Sequence, residues 1–515
     1  MPEIDADFLA LPAHHLADAA LTRARELGAS HADFRLERIR VASMSVRDAK
    51  LDSSTDSEDI GLAVRVVHDG AWGFASGIER TPRAAALLAE QAVATAKVSR
   101  VLSSKPVELA DEPIHTNASW VSSYEINPFD VAESDRAALL TDYSERLLSA
   151  DGVDHVDARL TQVLENKFYA DLSGTTTTQQ RVRIEPVFTA VQVDLAAGGF
   201  SSMRSLAPPV GRGWEYLTGT GWDFPAELAE IPALLSEHAK APSVTAGTYD
   251  LVIDPSNLWL TIHESIGHAT ELDRALGYEA AYAGTSFATL DKLGSLKYGS
   301  AALTVTGDRT IEHGLATIGF DDEGVATRSF DIIRDGTLVG YQLNRQMAHD
   351  NWQHGLGAAQ PAGADGPPRS NGCAFADSPG HIPLQRMANV SLQPTAGGGS
   401  TADLIAGVER GIYVVGDKSW SIDMQRYNFQ FTGQRFFAIA NGEITGQLRD
   451  VAYQATTTDF WGSMQATGGP QTYVLGGAFN CGKGQPGQVA AVSHGCPSAL
   501  FRGVNVLNTV SEGGR

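Results

Sequence analysis

The chain has 515 residues, 43% of them hydrophobic and 19% charged, which is enough apolar material for more than one core. Its 61 acidic side chains outnumber 39 basic ones, and the formal charge of −22 repels phosphate backbones. With no long Lys/Arg run and no stretch approaching ~18 uninterrupted apolar residues, neither nucleic-acid binding nor a membrane span is expected.

The N-terminus, "MPEIDADFLALPAHHLADAALTRARELGAS", has neither the basic start nor the apolar core of a signal peptide. Three cysteines, Cys373, Cys481 and Cys496, make no disulfide framework, and a reducing cytoplasm is expected. "AHHLADAALTRARELG" has helical periodicity up to Gly28. "HADFRLERIRVASMSVRD" alternates as a half-buried strand, or as two joined by a bend. "IGLAVRVVHDGAWGFASG" predicts a hairpin turning at Asp69-Gly70, and "RTPRAAALLAEQAVATAKVSR" a helix with Thr81 as N-cap and Pro82 in the first turn.

A second segment begins after a polar stretch near 105–118. It holds a helix, "ESDRAALLTDYSERLLSA", then strands turning at Ser173-Gly174, a glycine-punctuated loop and another helix, "PAELAEIPALLSEHAKA". The main boundary falls near residue 240. The predicted architecture is α+β: an N-terminal α/β lobe over 1–110, a second α+β lobe over 111–240, and a β-rich C-terminal domain over 241–515 that carries a histidine-bearing helix. That domain is rich in glycine, with turns at Asp322–Gly324 and Asp335-Gly336 and long loops, but no P-loop or dinucleotide fingerprint.

The helix that starts after Asp254-Pro255, in "DPSNLWLTIHESIGHATELDRALGYE", raises the chemical question. Metal-binding histidines on a regular helix stand at i and i+4, about 40° apart. His263 and His268 stand at i and i+5, which would diverge by about 140° on a regular helix. A single π-type turn of about 4.4 residues would bring them to within roughly 50°. Gly267 would tolerate that distortion. Glu264, directly after the first histidine, sits where a metallohydrolase keeps the general base for its water. A catalytic zinc needs a third protein ligand. Cys481, set among glycines after an apolar strand, is one candidate, with Cys496 and His494 as close rivals; a buried, inert thiol is the alternative for each cysteine, and a plain loop position for His494. Glu271 and Asp273 either orient a ligand histidine or lie on the helix's solvated face. Asp321, Asp322 and Glu323 look like a cation site, but a turn explains them equally. Trp352, Trp420 and Trp461 are candidates for a peptide groove or for core packing. His494, Tyr427 and Arg435 are the candidates for stabilising an oxyanion.

The stretches "YDLVIDPSNLWLTIHESIGHATELD", "AGTSFA", "GFDDEGVATRSFDIIRDGTLVGYQLNRQMA", "RMANVSLQPTAG" and "NCGKGQPGQ" resemble the TldD/PmbA family of metallopeptidases, in its HExxxH-bearing TldD branch. The resemblance runs over nearly the whole chain. It implies His263, His268 and Cys481 as metal ligands, Glu264 as the catalytic glutamate, and Zn2+ as the cofactor. It also implies hydrolysis of short or unfolded peptides, and a dimer formed either with a second copy or with a metal-less PmbA-type relative. The long "HDNWQHGLGAAQPAGADGPPRSNG" loop and the "VSHGCP" tail depart from the family pattern. Two other functions stay open at this point: a non-catalytic peptide-binding subunit, and a metal-dependent amidase with a non-peptide substrate.

Overall fold

The computed structural model describes residues 2–103, 105–194, 199–350, 369–484 and 486–512. The first strand is not two pieces: β1 is continuous, His31–Arg47, with one register irregularity at Ser45/Val46. β2 (Lys50–His68) and β3 (Ala71–Gly77) form the expected hairpin, His68 opposite Ala71. Asp69 and Gly70 both take positive φ, 50° and 71°, as a two-residue turn between twisted strands requires. The helix Pro82–Leu102 is capped by Thr81, whose hydroxyl accepts from the Ala84 N–H at 3.2 Å.

β4 (Ala118–Val121), β5 (His155–Asp171), β6 (Thr176–Asp194) and β7 (Gly199–Arg204) follow. Strands of the first 110 residues and of the next segment share one sheet, in the order β3-β2-β1-β5-β6-β4 with β7 against β6. The joint is the antiparallel β1–β5 pair, in register from Asp33 opposite Asp171 to Arg47 opposite Asp157. Helices on this sheet build two separate apolar cores. Ala20, Phe34, Leu88 and Ala92 belong to one; Leu140, Phe188, Ile231 and Leu235 belong to the other.

The sheet meets the C-terminal part through buried charges. Lys167 donates to Asp322 at 2.8 Å, and Arg65 donates to Glu323 at 3.1 Å. Asp321 accepts the N–H groups of Glu323, Val325 and Ala374 at 2.9 to 3.0 Å. The acidic run 321–323 is therefore a turn held by Asp321, while Asp322 and Glu323 join the two halves of the molecule.

The C-terminal part is β-rich. β8 (Gly247–Ile253) runs parallel to Arg410–Ile422 on one side and antiparallel to Ala499–Asn508 on the other. Val451–Thr456 and Asn428–Ala440 extend the sheet, and Asn428–Ala440 pairs back with Arg410–Ile422, closing it on itself. The helix Pro255–Ile262 leaves β8 and is surrounded by the largest core, which includes Leu258, Trp259, Leu260 and Ile262. A separate two-stranded ribbon, Val474–Lys483 with Gln488–Cys496, packs against that helix. The turns at Asp335-Gly336 and Asn441-Gly442 form with positive φ throughout. Trp352 and most of the long loop at 349–372 lie outside the described residues. Among those described, no helix is long and apolar enough to cross a membrane.

Candidate metal centre

Asp254 opens the central helix by accepting the Ser256 N–H at 3.0 Å, with Pro255 in the first position. The helix is regular to Ile262, then widens into one π turn, His263–Gly267, and tightens into a 3-10 turn, His268–Thr270. The extra residue between the histidines is absorbed there. Their rings come to 4.7 Å between centroids.

A widened turn gives up part of the helical hydrogen bonding, and the carbonyls it frees need other donors. Tyr298 donates its hydroxyl to Ser265 O; Gln342 donates to Gly267 O at 2.7 Å. Thr270 caps Ile266 O at 2.8 Å. Gly267 itself has an ordinary helical φ of −52°, so it is needed for space and not for backbone freedom. A Cβ there would stand 2.6 Å from the sulfur of Met387, which is 1% exposed.

Cys481 lies within the strand Val474–Lys483, beyond an irregularity between Ala478 and Cys481 that re-aims the chain. Its sulfur is 3.6 Å from His268 Nε2 across 213 residues of sequence. One ligand atom each from His263, His268 and Cys481 fall within 4.8 Å of one another, all buried. Among the described residues this is the one such group that could hold a metal ion.

The neighbours of these side chains suit a metal. Glu271 takes the Nδ1 side of His268 at 2.8 Å, leaving Nε2 toward Cys481. His494 Nε2 lies 2.7 Å from His263 Nδ1, and His494 Nδ1 lies 2.8 Å from Val390 O. A carbonyl only accepts, so His494 carries its proton on Nδ1 and its bare Nε2 takes the Nδ1–H of His263. That leaves His263 Nε2 free as a donor atom. Burial holds His263 below its ordinary pKa, in the neutral form a ligand needs. Burial alone would push the Cys481 thiol up, but Arg386 and His268 outweigh it and hold the thiol below its usual value, toward thiolate.

Cys481 and Lys483 alternate onto the same face of their strand. Lys483 Nζ, buried, reaches Glu271 at 3.1 Å, Asp273 at 2.9 Å and Glu279 at 3.3 Å. Glu271 thus holds His268 with one oxygen and the cysteine's strand with the other. Lys483→Met should leave Arg274 as the neighbouring cation of Glu271 and Glu279, strip Asp273 of its ion pair, and lower stability by about 3–5 kcal/mol, read by denaturant unfolding of the metal-free chain.

Glu264 lies on the wall of a cleft of about 520 Å³ shared with His263, His268 and Cys481. Glu185, Arg204 and Pro208 of the N-terminal sheet side, and Gly476, Gly477 and Asn480 of the ribbon, also line it. Burial would raise the Glu264 pKa, but His263, His268 and Arg426 together hold it below the ordinary range, so it is a carboxylate. Arg426 Nη1 donates to Glu264 Oε2, and the Trp420 side chain also hydrogen-bonds this carboxylate.

The oxyanion candidates fall elsewhere. His494 is fully buried behind His263. Tyr427 packs on Phe287, with its hydroxyl on Thr458. Arg435 faces Glu227 and Asp254. None of the three lines the cleft. Trp420 lines it; Trp461 is core, its indole donating to Ser265 at 2.9 Å. Cys373 and Cys496 are buried free thiols apart from the cluster. Arg426 was not singled out in the sequence, because only the fold of its hairpin carries it to Glu264.

Residues 246–508 match a family model described as the PmbA/TldA metallopeptidase C-terminal domain, and residues 32–96 match the model of its domain 1. A metalloprotease of Methanothermobacter thermautotrophicus is 26% identical over 98% of this chain and 100% of its own. A protein of Saccharolobus solfataricus named zinc metalloprotease TldD homolog is 24% identical over 94% of this chain and 98% of its own. The crystal structure of TldE from Thermococcus kodakarensis superposes with a TM-score of 0.70 over 95% of this chain and 99% of its own at 15% identity, a likeness of fold.

Proposed function

The chain belongs to the PmbA/TldD metallopeptidase family, and from that premise we propose that it is a zinc-dependent peptidase acting on short or unfolded peptides. His263, His268 and Cys481 are the metal ligands in this reading, and Glu264 is the general base. The observation that carries it is the convergence of two imidazoles and a sulfur on the cleft that also exposes Glu264.

A bound divalent ion supplies Lewis acidity toward the scissile carbonyl and toward water. The chain's own residues do the rest. Glu264 takes a proton from the attacking water and returns it to the leaving amine. His494 and Glu271 keep the two ligand imidazoles in one tautomer and one orientation.

Support for a peptide substrate comes from the ribbon. Val474–Lys483 pairs with Gln488–Cys496 along one edge and with no other described strand, while Gly476, Gly477, Ala478 and Asn480 line the cleft. An extended peptide can add to such an edge through backbone hydrogen bonds, which tolerate many side chains and exclude chains already folded. The same reading includes a cytoplasmic location and a dimer, of two copies or with a metal-less PmbA-type relative.

The test is digestion by the zinc-loaded protein. An unstructured peptide should be cut at several bonds, while the same sequence held inside a folded domain survives. Loss of neither substrate would refute the peptidase reading and favour a binding subunit.

A further inference from the structure

We propose that Arg426 is a catalytic residue: its guanidinium leaves Glu264 as water adds to the scissile carbonyl, and it stabilises the oxyanion that forms. This rests on the peptidase reading above.

Arg426 sits at the tip of the hairpin between Arg410–Ile422 and Asn428–Ala440. Its φ is +64°, a left-handed conformation that a residue with a side chain adopts at a cost. The turn holds it there. The Asp423 carboxylate accepts the N–H groups of Gln425, Tyr427 and Asn428 at 3.1, 2.8 and 3.0 Å. Asp423 O accepts the Arg426 N–H at 3.0 Å, and Thr457 donates its hydroxyl to Arg426 O at 2.8 Å. The strained residue is therefore fixed so that its side chain enters the cleft beside the base.

The guanidinium has a planar fork of five N–H donors. One Nη is on Glu264 Oε2, whereas Nε is buried with no hydrogen-bond partner. A buried donor without an acceptor is costly in the resting protein and is suited to an oxygen that arrives with substrate.

The resting ion pair opposes the step, because the Arg426 charge beside Glu264 Oε2 steadies the carboxylate and makes it a weaker base toward water's proton. As the reaction proceeds, a water O–H bond breaks and its proton goes to Glu264. The water oxygen bonds to the carbonyl carbon, and the carbonyl π pair moves onto its oxygen. Negative charge leaves the carboxylate and appears on that oxygen, close to the same base. Arg426 follows the charge. When the C=O re-forms and the C–N bond breaks, the proton passes from Glu264 to the amine. The carboxylate is restored, and Arg426 returns to it.

The experiment uses the zinc-loaded full chain with Arg426→Met, Arg426→Lys and Arg426→Ala, assayed on an unstructured peptide. Arg426→Met should lower kcat about 10²–10³-fold, with KM and bound zinc little changed. Affinity for a phosphinic analogue of the peptide, which mimics the charged tetrahedral centre, should fall in parallel. Affinity for the uncleaved peptide, measured in a Glu264→Gln background, should not. Arg426→Lys should fall between wild type and Met. Millimolar guanidinium should restore part of the kcat of Arg426→Ala.

A raised KM with unchanged kcat would assign Arg426 to ground-state binding of a substrate carboxylate and overturn the proposal. A kcat loss as large in Lys as in Met, without loss of phosphinic affinity and without guanidinium rescue of Arg426→Ala, would mark a structural role and also overturn it. If wild type cuts peptide and Arg426→Met cuts equally well, this inference alone fails. If wild type cuts nothing, the peptidase reading fails with it.

Discussion

Glu264→Gln should lower kcat/KM for an unstructured peptide by about 10³–10⁴-fold while the protein retains its bound zinc. The substitution keeps the shape of the side chain and removes its charge, and with it both the capacity to accept water's proton and the ion pair with Arg426. Glu264 is not among the three groups that converge as ligand atoms, so metal content is expected to hold. The fold should hold too, since among the described residues the hydrogen bonds to this carboxylate come from Arg426 and Trp420 at the cleft wall, where Arg426 keeps some access to solvent. Peptide affinity should stay near that of wild type, because the proton is moved in the transition state and not on binding. Steady-state kinetics, zinc content and direct binding of the uncleaved peptide measure these separately. Equal cleavage by the variant would remove Glu264 from the mechanism.

Cys481→Ser should have the opposite signature, losing the metal first and activity with it. The thiol is the one proposed ligand brought from outside the central helix, and Arg386 and His268 favour its thiolate. A serine hydroxyl at that position stays protonated and is a poor zinc ligand. Removing an outer partner of a ligand commonly costs ~10–100-fold in metal affinity, and removing the ligand itself should cost well beyond that. Competition with a chelator of known affinity reads the change directly. The pair of variants separates the two halves of the account: Glu264→Gln keeps zinc without turnover, and Cys481→Ser keeps neither.

Much of this site was legible in the chain. The i, i+5 spacing of His263 and His268 is useless on a regular helix, which made a π turn the one local solution, and the turn is there. Its supports were not legible. Tyr298 and Gln342, which satisfy the freed carbonyls, come from loops whose approach depends on tertiary packing. Gly267 offers conformational freedom in the sequence, whereas its backbone is ordinary and a Cβ there would meet the Met387 side chain, which would have to shift. Periodicity cannot bring Cys481 to His268 across 213 residues; its glycine setting leaves Cys496 and His494 as rivals, and the family resemblance singles Cys481 out. His494 was weighed as a rival ligand and an oxyanion donor. Its position depends on ribbon register, Gly476 opposite His494, which sets its ring behind His263 and not in the cleft.

The same contrast holds for the fold. Hairpins with Asp-Gly turns are plain in the sequence, because two consecutive positive φ angles restrict the residues allowed. The stretch Lys50–Asp59, "KLDSSTDSED", belongs to β2 yet is exposed throughout, so no alternation marks it. The acidic run at 321–323 has the composition of a surface turn. It is buried because Arg65 and Lys167, far earlier in the chain, meet it across the sheet face.

The central claim is that His263, His268 and Cys481 share one ion, and zinc-edge X-ray absorption of the loaded protein tests it most directly. The account predicts two nitrogen scatterers at about 2.0–2.1 Å and one sulfur at about 2.3 Å, with the sulfur shell absent from any zinc that Cys481→Ser still retains. A first shell of nitrogen and oxygen alone in the wild-type protein would contradict it.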